Sequence, residues 1–451
     1  MPRLKKRSTV AYAALFLFAI YLLSNIFISE SSSECQPFGR SWLNFPGFVV
    51  FDNLYAHRGR YVTVSDDTAM RRVAEAAVSG GNPQFRVLNG VHAAQEFGSS
   101  GIVLPGTTII FNDPPGPDGY MIYPANFIGE AFLGAWKAIA SAPAATSLNG
   151  WMELHNVTQN GLREMTSDIP LPARYLFPKC GRAGTWQDAE GKNAWFLTHA
   201  SPYAAIEEGG SWMARAQSGD AFLFERAVIV DRMAAHSYKG EVDEVGKMSA
   251  AIARSPIPHE DMMASLRESF FESMGIQVDG AEKPVILYLD HQIEGRRLLK
   301  THHDNLIRAL SELTDIAEVH VADIRKMSAR EKLKLFSRAT VLISVFNDDS
   351  LNQIWMPPTN RTTVIELYDP GSYVPDWHLV ANMIGHRYYP VHYDEIALSR
   401  PRSRVETSGM NGNKLIVDGD FVVDLIRMIL TEPDAEALAR YIASNTNISL
   451  Q

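Results

Sequence analysis

A few charged residues stand where they can do chemistry. Arg296 and Arg297 follow an apolar run at 284–290. The planar arginine fork makes paired, charge-assisted hydrogen bonds and suits a diphosphate. The same pair also reads as the solvated start of a helix. Asp348 and Asp349 lie between Asn347 and Ser350, after a second apolar run at 341–346. Asn-Asp-Asp-Ser is turn and helix-cap chemistry. Two adjacent carboxylates also suit a divalent ion bridging phosphates, so metal dependence stays open. Glu366 lies near the end of a third run, 363–368. Its carboxylate suits hydrogen bonds to a ribose or base, or a buried pairing that holds the strand. Asp418-Gly419-Asp420 imitates an acid-x-acid metal motif, but it precedes a predicted helix at 421–430, where a turn and N-cap is simpler. The thirteen histidines show no zinc-ligand spacing, and no bound cofactor is expected.

These residues need a scaffold. Ser328 with Glu331 is a capping-box pair that starts a helix reaching about 339. A strand at 341–346, a short helix at 351–356 stopped by Pro357-Pro358, and a strand at 363–368 follow. Upstream, 284–290, 301–313 and 318–321 read as strand, helix and strand. This alternation predicts a parallel α/β sheet, whose ligands bind beyond the carboxyl ends of the strands. Earlier strands are predicted at 61–64, 85–88, 107–111, 174–178 and 222–232. Helices are predicted at 69–78, after Asp66-Asp67, at 123–139 and at 259–274. Residues 38–61 read as irregular, 241–255 as a mobile polar loop and 279–283 as a linker. No internal repeat is visible.

One ordered set resembles the C-terminal half of family 61 glycosyltransferases, in their fungal branch. It comprises Glu331, Leu333, residues 339–343, Trp355-Met356-Pro357-Pro358, residues 363–367, Pro370-Gly371 and Asp376-Trp377. Asn126-Phe127 with Glu130 is similar to that family's His-Phe-x-x-Glu helix. Trp186-Gln187-Asp188 resembles its Trp-Arg-Asp, and Asp231-Arg232 ends a similar strand. The resemblance implies an α/β fold of GT-B type: two Rossmann-like domains facing a cleft, preceded by a single transmembrane helix. It implies an inverting transfer of xylose or N-acetylglucosamine from a UDP-sugar to a glycan or glycoprotein hydroxyl. Glu130, Asp188 and Asp231 are then candidate bases, although each also reads as a cap or as a partner of Arg226 or Arg232. Arg296, Arg297, Asn347, Asp348, Asp349, Ser350 and Glu366 fall on the donor side, Asn126 and Trp186 on the acceptor side. The family's His-Gly-x-Gly-Leu-Thr-His turn is here Phe346-Asn347-Asp348-Asp349-Ser350-Leu351-Asn352. A second reading therefore stands beside the first: a glycan-binding or transferase-scaffolding lumenal relative without turnover.

With 451 residues, 46% of them hydrophobic and 21% charged, the chain can build two substantial cores. A net charge of -9 speaks against a nucleic-acid surface. Arg3, Lys5, Lys6 and Arg7 precede an uncharged apolar span at 9–28, long enough for a membrane helix with its N-terminus cytoplasmic. The expected order is a tail at 1–8, a signal anchor at 9–28 and a stem at 29–45. An acceptor-side domain at 46–278 and a nucleotide-sugar-side domain with closing helices at 279–451 follow. A single-pass type II protein of the Golgi or ER membrane is expected, catalytic part lumenal. Asn156, Asn360 and Asn447 head glycosylation sequons, and Cys35 and Cys180 are either a disulfide or two thiols.

Overall fold

Eight strands build the first sheet: β1 (Arg40–Phe45), β2 (Phe48–His57), β3 (Arg60–Val64), β4 (Phe85–Leu88), β5 (Gly101–Phe111), β6 (Arg174–Phe177), β7 (Ala205–Glu208) and β8 (Ala221–Val230). Their order is β4-β3-β2-β8-β5-β6-β7, with β1 also paired to β2. β8, β5, β6 and β7 run parallel, whereas β2 is antiparallel to both β3 and β8. The sheet is therefore mixed. The computed structural model describes residues 38–79, 84–98, 101–142, 169–181, 184–237, 246–278, 280–292, 295–397, 404–412 and 414–431. The predicted anchor at 9–28, Cys35, Asn156 and Asn447 lie outside them. Among the described residues no helix is long and apolar enough to cross a membrane.

Residues 38–61, expected to be irregular, form β1 and β2, and the expected stem already belongs to the sheet from Arg40. Pro46-Gly47 supplies the tight turn, with Gly47 at φ 79°. Phe48, Val49, Val50 and Phe51 are all buried, so β2 is covered on both faces and shows no alternation.

The second sheet contains β9 (Val285–Leu289), β10 (Glu318–Ala322), β11 (Ala339–Val345), β12 (Thr363–Tyr368), β13 (Arg387–His392) and β14 (Glu395–Ile396), in the order β10-β9-β11-β12-β13-β14. The first five run parallel, in the doubly wound order. The strand order reverses between β9 and β11, which opens a crevice at their carboxyl ends. Ser328 and Glu331 form the expected capping box. Asp418 accepts from the N–H groups of Asp420 and Phe421, so it caps the helix Gly419–Thr431.

The two halves share one apolar cluster. It runs from Phe48 and Val228 through Trp136, Phe196 and Phe270 to Trp355, Ile365 and Trp377. Trp355 meets Phe270 edge-on, with ring centroids 4.4 Å apart. Residues Pro124–Asn126, a π turn at Phe127–Phe132 and the helix Leu133–Ser141 form the spine of this junction. From Phe127 to Ala140 every residue is buried, as a helix between two layers must be. Gly129 faces Leu351, Val380 and Trp377, so the absent side chain lets the second half approach.

Residues 246–253, expected within a mobile loop, instead enter this junction. Met248, Ala250 and Ile252 are completely buried. Lys247 Nζ lies 3.2 Å from Glu130 Oε1 in the first half and 2.9 Å from Asp376 Oδ2 in the second. Removing that ammonium leaves two carboxylates buried without their shared partner. Lys247→Ala is expected to lower the unfolding free energy by about 3 kcal/mol in urea titrations, and Lys247→Arg to recover most of it. A loss below about 0.5 kcal/mol would show that the bridge is merely a surface pair.

Candidate functional site

A crevice of about 550 Å³ opens between the halves. Ile122, Ala125, Ile128 and Trp195 form its wall on one side, Leu333, Leu351, Ile354 and Trp355 on the other. Asp188, Glu190, Lys192, Lys332, Asp348 and Asp349 supply its charge. It lies beyond the carboxyl end of β11, beside the strand-order reversal. A mostly apolar cleft with a few convergent charges has the form of a small-molecule site.

The turn after β11 is built from inside. Asn347 caps the 3-10 helix Asp348–Trp355, its Oδ1 accepting from the Asp349 N–H at 2.7 Å. Ser350 is fully buried, with its Oγ 2.9 Å from Ser344 Oγ. Neither Asn347 nor Ser350 therefore offers its side chain to the crevice. Asp349 Oδ2 lies 2.8 Å from His291 Nε2, a pair that joins the loops after β9 and β11. Burial alone would raise the Asp349 carboxyl, but His291 outweighs it and holds the acid below its usual value.

Asp348 differs from its neighbour. Its carboxylate opens onto the crevice and accepts no side-chain ion pair. The surrounding walls desolvate it, and the charges of Asp376 and Asp349 add to that, so its pKa is raised. Arg296 stacks on the Phe346 ring, 4.8 Å from the centroid, and binds Glu406 at 2.9 Å. It is close enough to temper the charge on Asp348. The Arg297 backbone donates to the Gly412 carbonyl and accepts from the Leu415 N–H, both at 3.2 Å. That loop is thus pinned before the helix Lys300–Ser311 begins.

Glu366 is not at the crevice. It is fully buried between sheet and helix, where Tyr368 donates to it at 2.6 Å and Tyr388 also donates. Burial raises its pKa from 4.5 to about 8, against the lowering effect of the two phenols. A nucleotide contact is replaced by a neutral acid inside the core.

The acceptor-side candidates are likewise engaged internally. Glu130 is buried and receives Arg232 at 3.2 Å, Lys247 at 3.2 Å, the Met248 N–H at 3.2 Å and the Asn126 amide. Burial pushes its pKa up, but Arg232 and Lys247 overcome that and hold it low. A carboxylate so stabilised is a poor base. Asn126 serves Glu130 beside a small separate recess. Asp188 does reach the crevice, but its oxygens accept from the N–H groups of Glu190, Lys192 and Asn193 at 2.8–3.1 Å and cap the helix Lys192–Ala200. Asp231, completely buried, accepts from Ser79, Asn112 and the Ala234 N–H. Trp186 is 1% exposed, stacked on Phe177 at 4.5 Å, with its indole N–H on Glu208. It is a core residue of the first half.

Lys192 and Lys332 face the crevice from opposite halves, and both bear on the Asp349 charge. Sequence reasoning missed both because neither belongs to a motif; only the approach of two distant segments brings both to one crevice. It also missed Asp113, whose burial beside Asp231 raises its pKa from 3.8 to about 7. Asn360 is exposed in a turn, while its sequon partner Thr362 is buried and donates to the Pro357 carbonyl. Cys180 is buried, 4.0 Å from the Met121 sulfur. No group of acidic, histidine or cysteine side chains suited to a metal occurs among the described residues.

No protein-family model matches the chain, and no curated protein matches it. The two halves define an α/β protein with a charged, largely apolar crevice between them.

Glu366 gives a pH dependence with a definite sign. Between 4.5 and about 8 the folded chain holds a proton there that the unfolded chain has released. Stability from this group is complete below 4.5 and is lost as pH rises through about 8. Urea midpoints should therefore fall between about pH 5 and pH 9, and Glu366→Gln, shaped like the neutral acid, should flatten that fall. An unchanged slope in the variant would show that Glu366 is ionised in the fold.

Proposed function

We propose that the chain is an inverting glycosyltransferase of GT-B type that takes a UDP-sugar in the crevice between its halves. The observation that carries this is the position of the crevice: beyond the carboxyl end of β11, at the strand-order reversal, with an opposing wall from the other half. The resemblance to family 61 supplies the sugar class, xylose or N-acetylglucosamine, and the Golgi or ER setting, with residues 9–28 as anchor. It remains an analogy of pattern, so the chemistry is argued from the side chains.

In this reading Lys192 and Lys332 oppose the diphosphate charge, and Arg296 joins them by exchanging Glu406 for a phosphate oxygen. Asp348 replaces Glu130, Asp188 and Asp231 as general base, because its carboxylate is open to the crevice, has no ion pair among the described residues and has a raised pKa. The acceptor oxygen forms its bond to the anomeric carbon as the carbon–phosphate oxygen bond breaks. The hydroxyl proton passes to Asp348, and UDP leaves with the bonding pair.

One observation favours the second reading, a glycan-binding or scaffolding protein. The first turn after β11 holds no glycine, and the Asp349 N–H that could meet a phosphate is already taken by Asn347. Thermal unfolding of the full chain with UDP separates the two. Nucleotide at a hundred times its dissociation constant should add about 2.7 kcal/mol of stability. Lys192→Ala with Lys332→Ala should remove the shift. Asp348→Asn should keep it while lowering kcat by about a hundredfold. Absence of any shift with UDP, with or without Mn2+, decides for the scaffold.

A further inference from the structure

Tyr120 and Tyr123 are anomalous. They are 46% and 45% exposed, yet their backbones are fixed. Tyr120 donates its N–H to the Pro117 carbonyl at 3.0 Å, and the Tyr123 carbonyl accepts the Phe127 N–H at 2.9 Å. Tyr120 adopts the left-handed region at φ 58°, which a bulky side chain does not enter without cost. Its surroundings enforce that conformation. A side chain at Gly119 would strike the Pro114 carbonyl, so the loop can close only there. Beneath the ring lies the buried Arg232 guanidinium, 4.8 Å from the centroid and itself held by Glu130. Strain kept in place by a surrounding network, with an aromatic ring turned outward, is a pattern of ligand clamps rather than of packing.

The two rings meet at 54° with centroids 6.0 Å apart, which makes a shallow V. Ile122 and Pro124, the chain neighbours of Tyr123, line the crevice, so the V stands on the segment that forms one crevice wall. Tyrosine offers a rigid apolar face with a polar tip, and little ordering entropy is lost on binding. A pyranose ring matches both features: its C–H face lies on the aromatic ring, and its hydroxyls meet the phenols. A polyanion does not suit a chain of net charge -9.

We propose that Tyr120 and Tyr123 form a cradle for a pyranose ring on the surface beside the crevice. Naming that sugar the acceptor rests on the transferase reading above; the cradle itself does not. The test is saturation-transfer NMR on the full chain, in a detergent without a sugar headgroup, with chitobiose and xylobiose as probes. Ring C–H protons of at least one disaccharide should be saturated. Tyr123→Ala should weaken its binding about tenfold, and Tyr123→Phe should retain most of it. Tyr120→Ala should behave likewise, but it also disturbs the left-handed turn, so Tyr123→Ala decides. The UDP-induced thermal shift, measured on the same samples, should be unchanged in the Tyr123 variants. Equal binding by Tyr123→Ala, or no saturation of either sugar in the unaltered chain, overturns the cradle. Loss of uridine binding in Tyr123→Ala also overturns it, by making the pair a base site. Tyrosine-dependent saturation without any UDP shift would keep the cradle and remove the transferase.

Discussion

Everything at the junction of the two halves depends on the Lys247 ammonium. It is the common partner of Glu130 and Asp376, one carboxylate from each half. Both acids are largely withdrawn from water, where an unneutralised charge is costly. Glu130 is neutralised a second time by Arg232, so the chain of charge runs from Asp376 to the end of β8. This bridge ties one carboxylate of each half to a single cation, beside the apolar cluster that the halves share. At the same junction Trp355 is seated on Phe270 and Gly129 lies under Trp377.

The acids divide by their partners. Four acids are held by internal partners: Glu130 by two cations, Asp188 and Asp231 by backbone N–H groups, Glu366 by two tyrosines. Asp348, on the crevice wall, has no ion pair among the described residues, and burial together with the charges of Asp376 and Asp349 raises its pKa. Carboxylates of one residue type are thus set apart by what surrounds them.

Much of the second sheet was legible from local pattern. The capping box of Ser328 and Glu331, the apolar runs at β9, β11 and β12, and the proline stop at 357–358 each act within a few residues. Less of the first half was legible. β2 is buried on both faces, so its Phe-Val-Val-Phe run carries no period to read. Residues 246–253 look polar because Lys247 and Ser249 are there, yet they are buried by partners more than a hundred positions away. The same holds for the site. Arg296 and Asp348 could be found at strand ends, but the burial of Glu366, the hydrogen bonds from Ser79 to Asp231 and the placing of Lys192 and Lys332 on one crevice exist only after folding. A carboxylate in a sequence does not disclose whether amides already occupy it.

The π turn at Phe127–Phe132 has a consequence for helical phase. One inserted residue rotates all later positions by about 100° relative to an uninterrupted α-helix. That rotation is what points Gly134 at the Phe48 ring, Trp136 at the Met262 carbonyl and Lys137 at the Ser255 carbonyl. A chain one residue shorter in this turn would regain ideal winding and present the wrong side of the helix to each of those partners. Here a local irregularity is what makes the larger assembly regular.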